Sequence, residues 1–485
     1  MTSLLLLGTS STLFAKSDFV TLKEAMDQYS IPLVNITVDM IYVNKARYNK
    51  ATLEIADYHR RNPDSLFSVT YKCQIKLRGS SALEYEKKSF SVKLLDDNGN
   101  ELESNVLGLR EDDAWILDAM AIDRTRMRNR VCFDIWNQFS ATPYSTDYGN
   151  RNGVVGQFVE LFINGKYHGL YCLSDKINRK LLGLKKVNTD DPDNVKIKGI
   201  LYKGVKWDNG KSSYLMSYTT QTMERFKWNA YELKYPDKYP SEVTWQPLAD
   251  LIDFCSPATS DETFQDNWDS YFYYDNLMDY YVFTLALNVS DNVYKNNYLS
   301  VVNINKGHRF LITPWDMDAS LGGDWDGDYK DEYSSVEKYY NKAPFNRLVS
   351  QNMDNFYENS VILWESVSNT IFSLDNVYGV LDKYAESFDK SGAWGREYKR
   401  WNKNPVELSQ SIYSEINYVK EWYKNNRDNL TAQFRNEVGA TTVPFMEYND
   451  MDIYDIRGNR IYKELYELPK GIYFINGQKV FITPQ

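Results

Sequence analysis

The chain is poor in the residues that most often carry triad and soft-metal chemistry. Its three histidines, His59, His168 and His308, are far apart, which leaves little material for a His-based triad or a zinc site. Four cysteines, Cys73, Cys132, Cys172 and Cys255, fall in apolar stretches with no Cys-x-x-Cys spacing. They point to buried thiols rather than a disulfide framework, with one bridge left open for an exported protein. No run of Lys and Arg forms a basic tail, and a formal charge of −10 argues against a nucleic-acid partner, because a phosphate backbone needs a positive surface. The apolar stretch Leu4 to Ala15 is too short to span a membrane, so no transmembrane segment is expected. It is shaped like the end of a secretory signal peptide without the basic n-region, the other reading being a buried N-terminal strand. Internal repeats and low-complexity runs are also lacking.

What is present is ordinary globular material in quantity: 485 residues, 43% hydrophobic and 25% charged, enough for a core of more than one lobe plus a small module. The 39 tyrosines and 12 tryptophans read as half-buried core residues. From Pro32 to Leu95 apolar and polar residues alternate over Leu33–Val38, Ala51–Ile55, Ser68–Leu77 and Ser89–Leu94, the pattern of an antiparallel sheet with one covered face. The connector Arg78 to Lys88 is small, hydroxyl-rich and basic at both ends. That composition suits a loop holding phosphates with backbone N–H groups and cations, and equally a solvated hairpin tip. A helix is expected over Asp123 to Phe139, with Asp123 as its cap. Asn164-Gly165, between Gly156–Ile163 and Lys166–Leu173, predicts a type I′ hairpin. Short strands follow at Ile200–Lys203 and Tyr231–Lys234, and helices dominate from Ser241 to Glu437.

The chemistry concentrates between Ser290 and Gly323. One long apolar helix carrying Phe264, Trp268, Tyr271, Met278, Val282 and Leu285 should present Asp291 at its exit. Asn296 lies five residues on, and Asp316 returns after two strands, Tyr298–Asn303 and Arg309–Thr313, joined by a Lys306-Gly307 turn. A hairpin brings its ends together, so Asp, Asn and Asp converge as hard oxygen donors suited to Mg2+ or Mn2+ beside a phosphate chain. The layout repeats that of a protein-kinase catalytic loop and its magnesium Asp. The bland alternative has Asp291 capping a turn and Asp316 and Asp318 on a solvated loop. The acidic loop Gly323 to Asp328 fails the EF-hand pattern, since its Gly comes two positions early and Ser335 holds the twelfth place; it reads as a solvated loop over the mouth of the site. After Pro444, short strands at Met451–Asp455, Gly471–Ile475 and Lys479–Ile482 form a small β module.

Taken in order, Arg78-Gly79-x-Ser81, Lys87-Lys88-Ser-Phe90 and Lys93, Asp123 with Arg128-Asn129, Val159 to Tyr171 around Asn164-Gly165, Tyr202-Lys203, Asp291-x4-Asn296-Asn297-Tyr298 and Pro314-Trp315-Asp316-x-Asp318 resemble the spore-coat protein H (CotH) kinase family over about residues 32 to 375. The resemblance implies an α+β, atypical protein-kinase-like fold. A β-rich, antiparallel N-terminal lobe (17–240) would be followed by a mainly helical lobe (241–440) and the β module (441–485), with 1–16 as a signal-peptide remnant. It implies ATP and Mg2+ (or Mn2+) as cofactors and a protein substrate, a surface or secreted protein or the chain itself. Asp291 would be the catalytic base, Asn296, Asp316 and Asp318 the metal ligands, and Arg78, Lys88, Lys93 and Trp315 the nucleotide contacts. Two departures stand out: Asp175 replaces the family's usual Glu and is short for its partner, and no helix Glu is evident to pair with a phosphate lysine. The rival reading is a catalytically inactive surface-binding protein on the same scaffold. The β module resembles C-terminal segments of secreted Bacteroidetes proteins, some of them sorting signals, in keeping with a secreted or cell-surface location.

Overall fold

The structure is a computed structural model that describes residues 31–437, apart from 59–65, 141, 145–150, 192–193, 206–214, 216–226, 229, 239–241, 294 and 341, together with four strands between 453 and 482. The signal-like stretch 1–16 lies outside the described residues.

The alternating segments form strands β1 (Leu33–Thr37), β2 (Asn49–Tyr58), β3 (Leu66–Arg78) and β4 (Ser89–Leu95), the Asn164-Gly165 hairpin forms β6 (Gly156–Ile163) and β7 (Lys166–Asp175), and an unexpected strand, β5 (Ala114–Asp118), lies between them. They do not make an open sheet with one covered face. They close into a barrel in the order β1-β2-β3-β4-β5-β7-β6, because β1 pairs antiparallel with β2 on one edge and parallel with β6 on the other. Closure removes the unpaired edges. The alternation then turns one side of every strand inward, so Val34, Ile55, Ile75, Val92, Leu117, Val159 and Tyr171 share a single core. The Asn164-Gly165 turn has both residues at positive φ, 51° and 77°, as its type requires. Asn164 also locks the closure: its amide donates to the Val38 carbonyl at 2.8 Å, and its Oδ1 accepts from the Val38 N–H at 2.9 Å.

Helix α1 (Arg128–Phe139) starts later than its pattern suggested. Asp123 still caps it from a distance, accepting from the Arg128 N–H at 2.7 Å and pairing with the Arg128 guanidinium at 2.6 Å. A second sheet has the order β12-β11-β8-β10-β9, where β8 is Ile200–Gly204, β9 Lys227–Trp228, β10 Tyr231–Tyr235, β11 Asn297–Val301 and β12 Phe310–Pro314. Helix α2 (Glu242–Cys255) leads into the expected long helix, which is in fact two, α3 (Asp261–Tyr271) and α4 (Tyr274–Ala286). The break falls where Phe272 leaves the helix to form a parallel bridge with Phe310 of β12, a tertiary contact that periodicity does not register. Helices α5 (Phe345–Leu348), α6 (Phe356–Ser368), α7 (Leu374–Lys390), α8 (Ala393–Trp401) and α9 (Ile412–Glu437) complete this half. Among the described residues no helix is long and apolar enough to cross a membrane. All four cysteines are free and buried. At the C-terminal end, β13 (Ile453–Asp455), β14 (Arg460–Ile461), β15 (Gly471–Ile475) and β16 (Gln478–Ile482) form their own sheet, with β16 lying against α6.

Candidate active site

The apolar helix α4 does deliver Asp291, on a short 3-10 turn (Ser290–Val293) just past its end. That turn is stapled by its buried neighbour Asn292. The Asn292 amide donates to the Trp315 carbonyl at 3.1 Å, its oxygen accepts from the Trp315 N–H at 3.3 Å, and its own carbonyl takes the Tyr280 hydroxyl at 2.7 Å. The β11–β12 hairpin returns the chain as expected, with Asn297 opposite Pro314 and the Trp315 N–H donating to the Asn296 carbonyl at 2.8 Å.

Asp291, Asn296 and Asp316 are thereby brought together. The Asn296 amide donates to Asp291 Oδ2 at 3.2 Å and reaches the Asp316 carbonyl at 3.5 Å. Lys295 also pairs with Asp291, at 3.1 Å. Asn296 and Asp316 both have left-handed backbones, φ 54° and 57°, a conformation Asn and Asp tolerate better than most side chains and one that clusters at functional sites. Gly204 makes room for this turn: its carbonyl accepts from the Asn296 N–H at 3.2 Å, and a Cβ there would come within 2.9 Å of Asn297 Oδ1.

A further acid comes from the barrel. Asp118, at the end of β5, accepts from Ser89 Oγ at 3.3 Å, the Met120 N–H at 3.2 Å and the Asn129 amide at 3.1 Å. Asn129 of α1 in turn accepts from the Met317 N–H at 3.2 Å, so one amide bridges the barrel acid to the Asp316–Asp318 loop. Burial raises the Asp316 carboxyl above the usual range, Asp118 and Asp291 add to the effect, and Lys203 and Arg78 oppose it. Asp318 is pushed up further, by burial and then by Asp316, Asp118 and Asp291.

Facing these acids are two cations that share one ring: Arg78 lies 5.3 Å from the centre of Trp315 and Lys203 5.9 Å. Burial lowers Lys203 to about 8, Asp316 works against that and Arg78 adds to it. Trp315 is 4% exposed and packs against Phe133 and Tyr298. With Arg78 and Lys203 near its ring, it serves the cations more readily than it offers a face to a base. The other expected clamps are engaged elsewhere. Lys88 Nζ donates to the Leu83 carbonyl within its own loop, and Lys93 pairs with Glu101 at 2.6 Å.

Lys87, the first lysine of the Lys-Lys pair, is buried and bonded to Glu397 Oε1 at 2.6 Å and to the Leu170 carbonyl at 2.7 Å. A helix Glu paired with a motif lysine therefore exists, on α8, and Arg126 completes the cluster at 2.7 Å from the same oxygen. Nothing in the sequence pattern singled out Glu397, Asp118 or Asn292. Lys203 stood in the Tyr202-Lys203 pair without a role. Asp175 Oδ1 stands 4.0 Å from Arg110 Nε, and neither atom has a hydrogen-bond partner.

A family model described as CotH kinase protein matches residues 75–430. The chain belongs to this family. No curated protein matches it. The CotH match spans the barrel from β3 onward, both halves of the site and α8, and it carries with it a kinase-like function.

The donors fit a hard cation. Asn296 donates with its amide nitrogen, so its oxygen is the atom left for a metal, with the carboxylates of Asp316 and Asp318 as oxygen donors of the same kind. Among the described residues no three His, Cys, Asp or Glu side chains form a ready metal cluster. Two acids and an amide therefore need oxygens from a second ligand, such as a phosphate chain, to fill a shell.

Proposed function

We propose that the chain transfers the γ-phosphate of ATP to a protein hydroxyl with the help of Mg2+ or Mn2+, on a two-lobed kinase-like scaffold, outside the cell or at its surface. The observation that carries this reading is the opposition, across one small space, of the Asp291–Asn296–Asp316 turn and the Arg78–Lys203 pair. A bound divalent ion would supply charge neutralisation on the phosphate oxygens. Asn296, Asp316 and Asp318 would hold it.

The chain's own groups have separable tasks. Arg78 and Lys203 bind phosphate oxygens, Arg78 through its planar fork, while Lys88 and Lys93, engaged with Leu83 and Glu101, have secondary roles. Asp291 orients the acceptor hydroxyl and takes its proton, with Asn296 fixing the rotamer of the carboxylate. The inactive-scaffold reading has one observation in its favour, the Lys295 pairing, which neutralises Asp291 unless an acceptor displaces it. Thermal-shift measurements with ATP and Mg2+ or Mn2+, followed by mass spectrometry for incorporated phosphate, decide between them. Millimolar ATP at a micromolar site should stabilise the fold by about 4 kcal/mol. No shift with any nucleotide and metal pair sinks the kinase reading, and a shift without transfer to the chain, to generic proteins or to surface extracts favours the scaffold.

A further inference from the structure

The loop between β1 and β2 carries three consecutive apolar side chains at its surface: Met40, Ile41 and Tyr42 are 36%, 89% and 58% exposed. It is tied down beside the site. The Leu77 N–H, next to Arg78, donates to the Asn44 carbonyl at 3.0 Å, and the Tyr48 ring lies 4.7 Å from Lys76 Nζ and 5.9 Å from Lys93 Nζ. An apolar tip held next to Lys76 and Lys93 calls for a partner.

From that tip a line of cations runs along the outer face of the barrel. Lys76 and Arg78 point to the same side of β3, and Lys93 on β4 lies opposite Gln74, on that side and two residues beyond Lys76. At about 3.3 Å per residue the four-residue step from Arg78 to the level of Lys93 is about 13 Å, so the line extends well past the acids at Asp316. Lys176 follows β7, and Lys234, exposed on β10, is near enough to lower both Lys76 and Lys176. Burial lowers the Lys176 ammonium, and Lys93, Lys234, Lys76 and Arg78 all lower it further. Among the described residues neither Lys76 nor Lys176 has an acid paired with it, whereas Lys93 and Lys234 have Glu101 and Glu232. In a chain of net charge −10, so local an excess of positive charge raises the concentration of anions just there.

We propose that this tip and this line of lysines dock the acceptor polypeptide, and that the acceptor is an acidic segment: an apolar side chain covers Met40–Tyr42, and carboxylates near the target hydroxyl lie along Lys76, Lys93 and Lys234. The proposal rests on the kinase reading for the word acceptor. An anionic membrane would also meet Ile41 with Lys45 and Arg47, but Arg78, Lys76 and Lys93 stand in a row along two paired strands, an arrangement that matches an extended chain rather than a flat bilayer.

The test uses the full chain and a fluorescent Asp/Glu-rich peptide with one Leu anchor and Ala at the acceptor position, titrated by anisotropy beside its Asn/Gln twin. The acidic peptide should bind at least about tenfold tighter, and less so as salt rises. Lys76→Glu with Lys93→Glu should erase that preference. Ile41→Asp should weaken binding about tenfold through the lost apolar contact while ATP affinity holds. Equal binding of the two peptides, or an Ile41→Asp variant that binds as well as the parent, overturns the proposal. So does full competition by ATP, which assigns the lysines to the nucleotide, and so does Ile41-dependent capture by anionic vesicles without peptide binding. Because this peptide cannot be phosphorylated, the outcome is independent of transfer. Tight binding with no phosphate incorporated into a Ser-bearing twin would break the kinase reading alone.

Discussion

Lys87, Arg126 and Glu397 meet in the interior with none of the three exposed beyond a trace, whereas Asp118, Asp291, Asp316 and Asp318 converge at partly buried positions. In the first cluster one carboxylate sits between two cations and also accepts from the Leu170 N–H at 2.7 Å. Arg126 spends a further nitrogen on the carbonyls of Met120, Ala121 and Asp123. Lys87 and Arg126 hold Glu397 below the usual carboxylate range against its burial. Burial lowers Lys87 to about 7, with Glu397 opposing and Arg126 adding. Each charge of this cluster touches an opposite one, and Arg126 Nη2 is its one buried nitrogen left without a hydrogen bond. In the second, burial and the neighbouring carboxylates raise Asp316 and Asp318, while Lys295 pairs with Asp291 and Arg78 and Lys203 oppose the shift of Asp316 from around Trp315. A folded chain keeps such repulsion where a ligand relieves it. Partner saturation, more than the presence of charge, separates a structural cluster from a functional one.

The comparison breaks most visibly at Glu397. Glu397→Gln should cost about 3–5 kcal/mol, the scale for leaving buried charges without their partner, read from urea denaturation. A loss under about 1 kcal/mol, the scale of an exposed pair, would mean that water already screens the cluster. In the acid cluster the effect should fall on activity instead. Asp291→Asn should lower transfer by about 10²-fold with ATP affinity within a few fold. Asp316→Asn should weaken metal-dependent ATP binding and recover in part at raised Mg2+ or Mn2+. Calorimetry and radiolabelled transfer together check both, and the opposite pattern would exchange the two roles.

Smaller effects sharpen the picture. Asp175→Glu should close the 4.0 Å gap to Arg110 and add about 1 kcal/mol, one hydrogen bond's worth, in a thermal melt. A loss would show that the barrel interior cannot take the extra methylene. For Lys87 the sign follows from linkage: its folded value, about 7, lies below its ordinary 10.5. The unfolded chain therefore binds more protons between those values, and stability should climb with pH across that window. Lys87→Met removes this part of the slope, so the difference between wild-type and variant urea midpoints should change from pH 7 to pH 10. A constant difference would mean that Lys87 titrates normally.

Much of this site was legible because it is local. Asp291, Asn296 and Asp316 are joined by one turn and one hairpin, and a hairpin's ends meet whatever surrounds it. Alternation marked β1 to β4 for the same reason, since a strand's period is a property of its own backbone, while β5, buried on both faces over Ala114–Leu117, carried no such period. Lys88 and Lys203 differ in the opposite way. Both are motif lysines, but only register with β11 puts Lys203 opposite Tyr298 and so beside Trp315 and Asp316.

The sequence by itself determined most of the strands, the Asn164-Gly165 turn, the acid and amide turn and the family to which they belong, because each rests on local pattern. Tertiary structure alone decided the rest. The parallel β1–β6 pairing closed the barrel, the Phe272–Phe310 bridge split a helix, Asn129, bonded to Asp118, met Met317 across 188 residues, and Glu397 met Lys87 across 310. Separations of that length leave no period in the chain, and which charges end up paired depends on which surfaces the fold buries together.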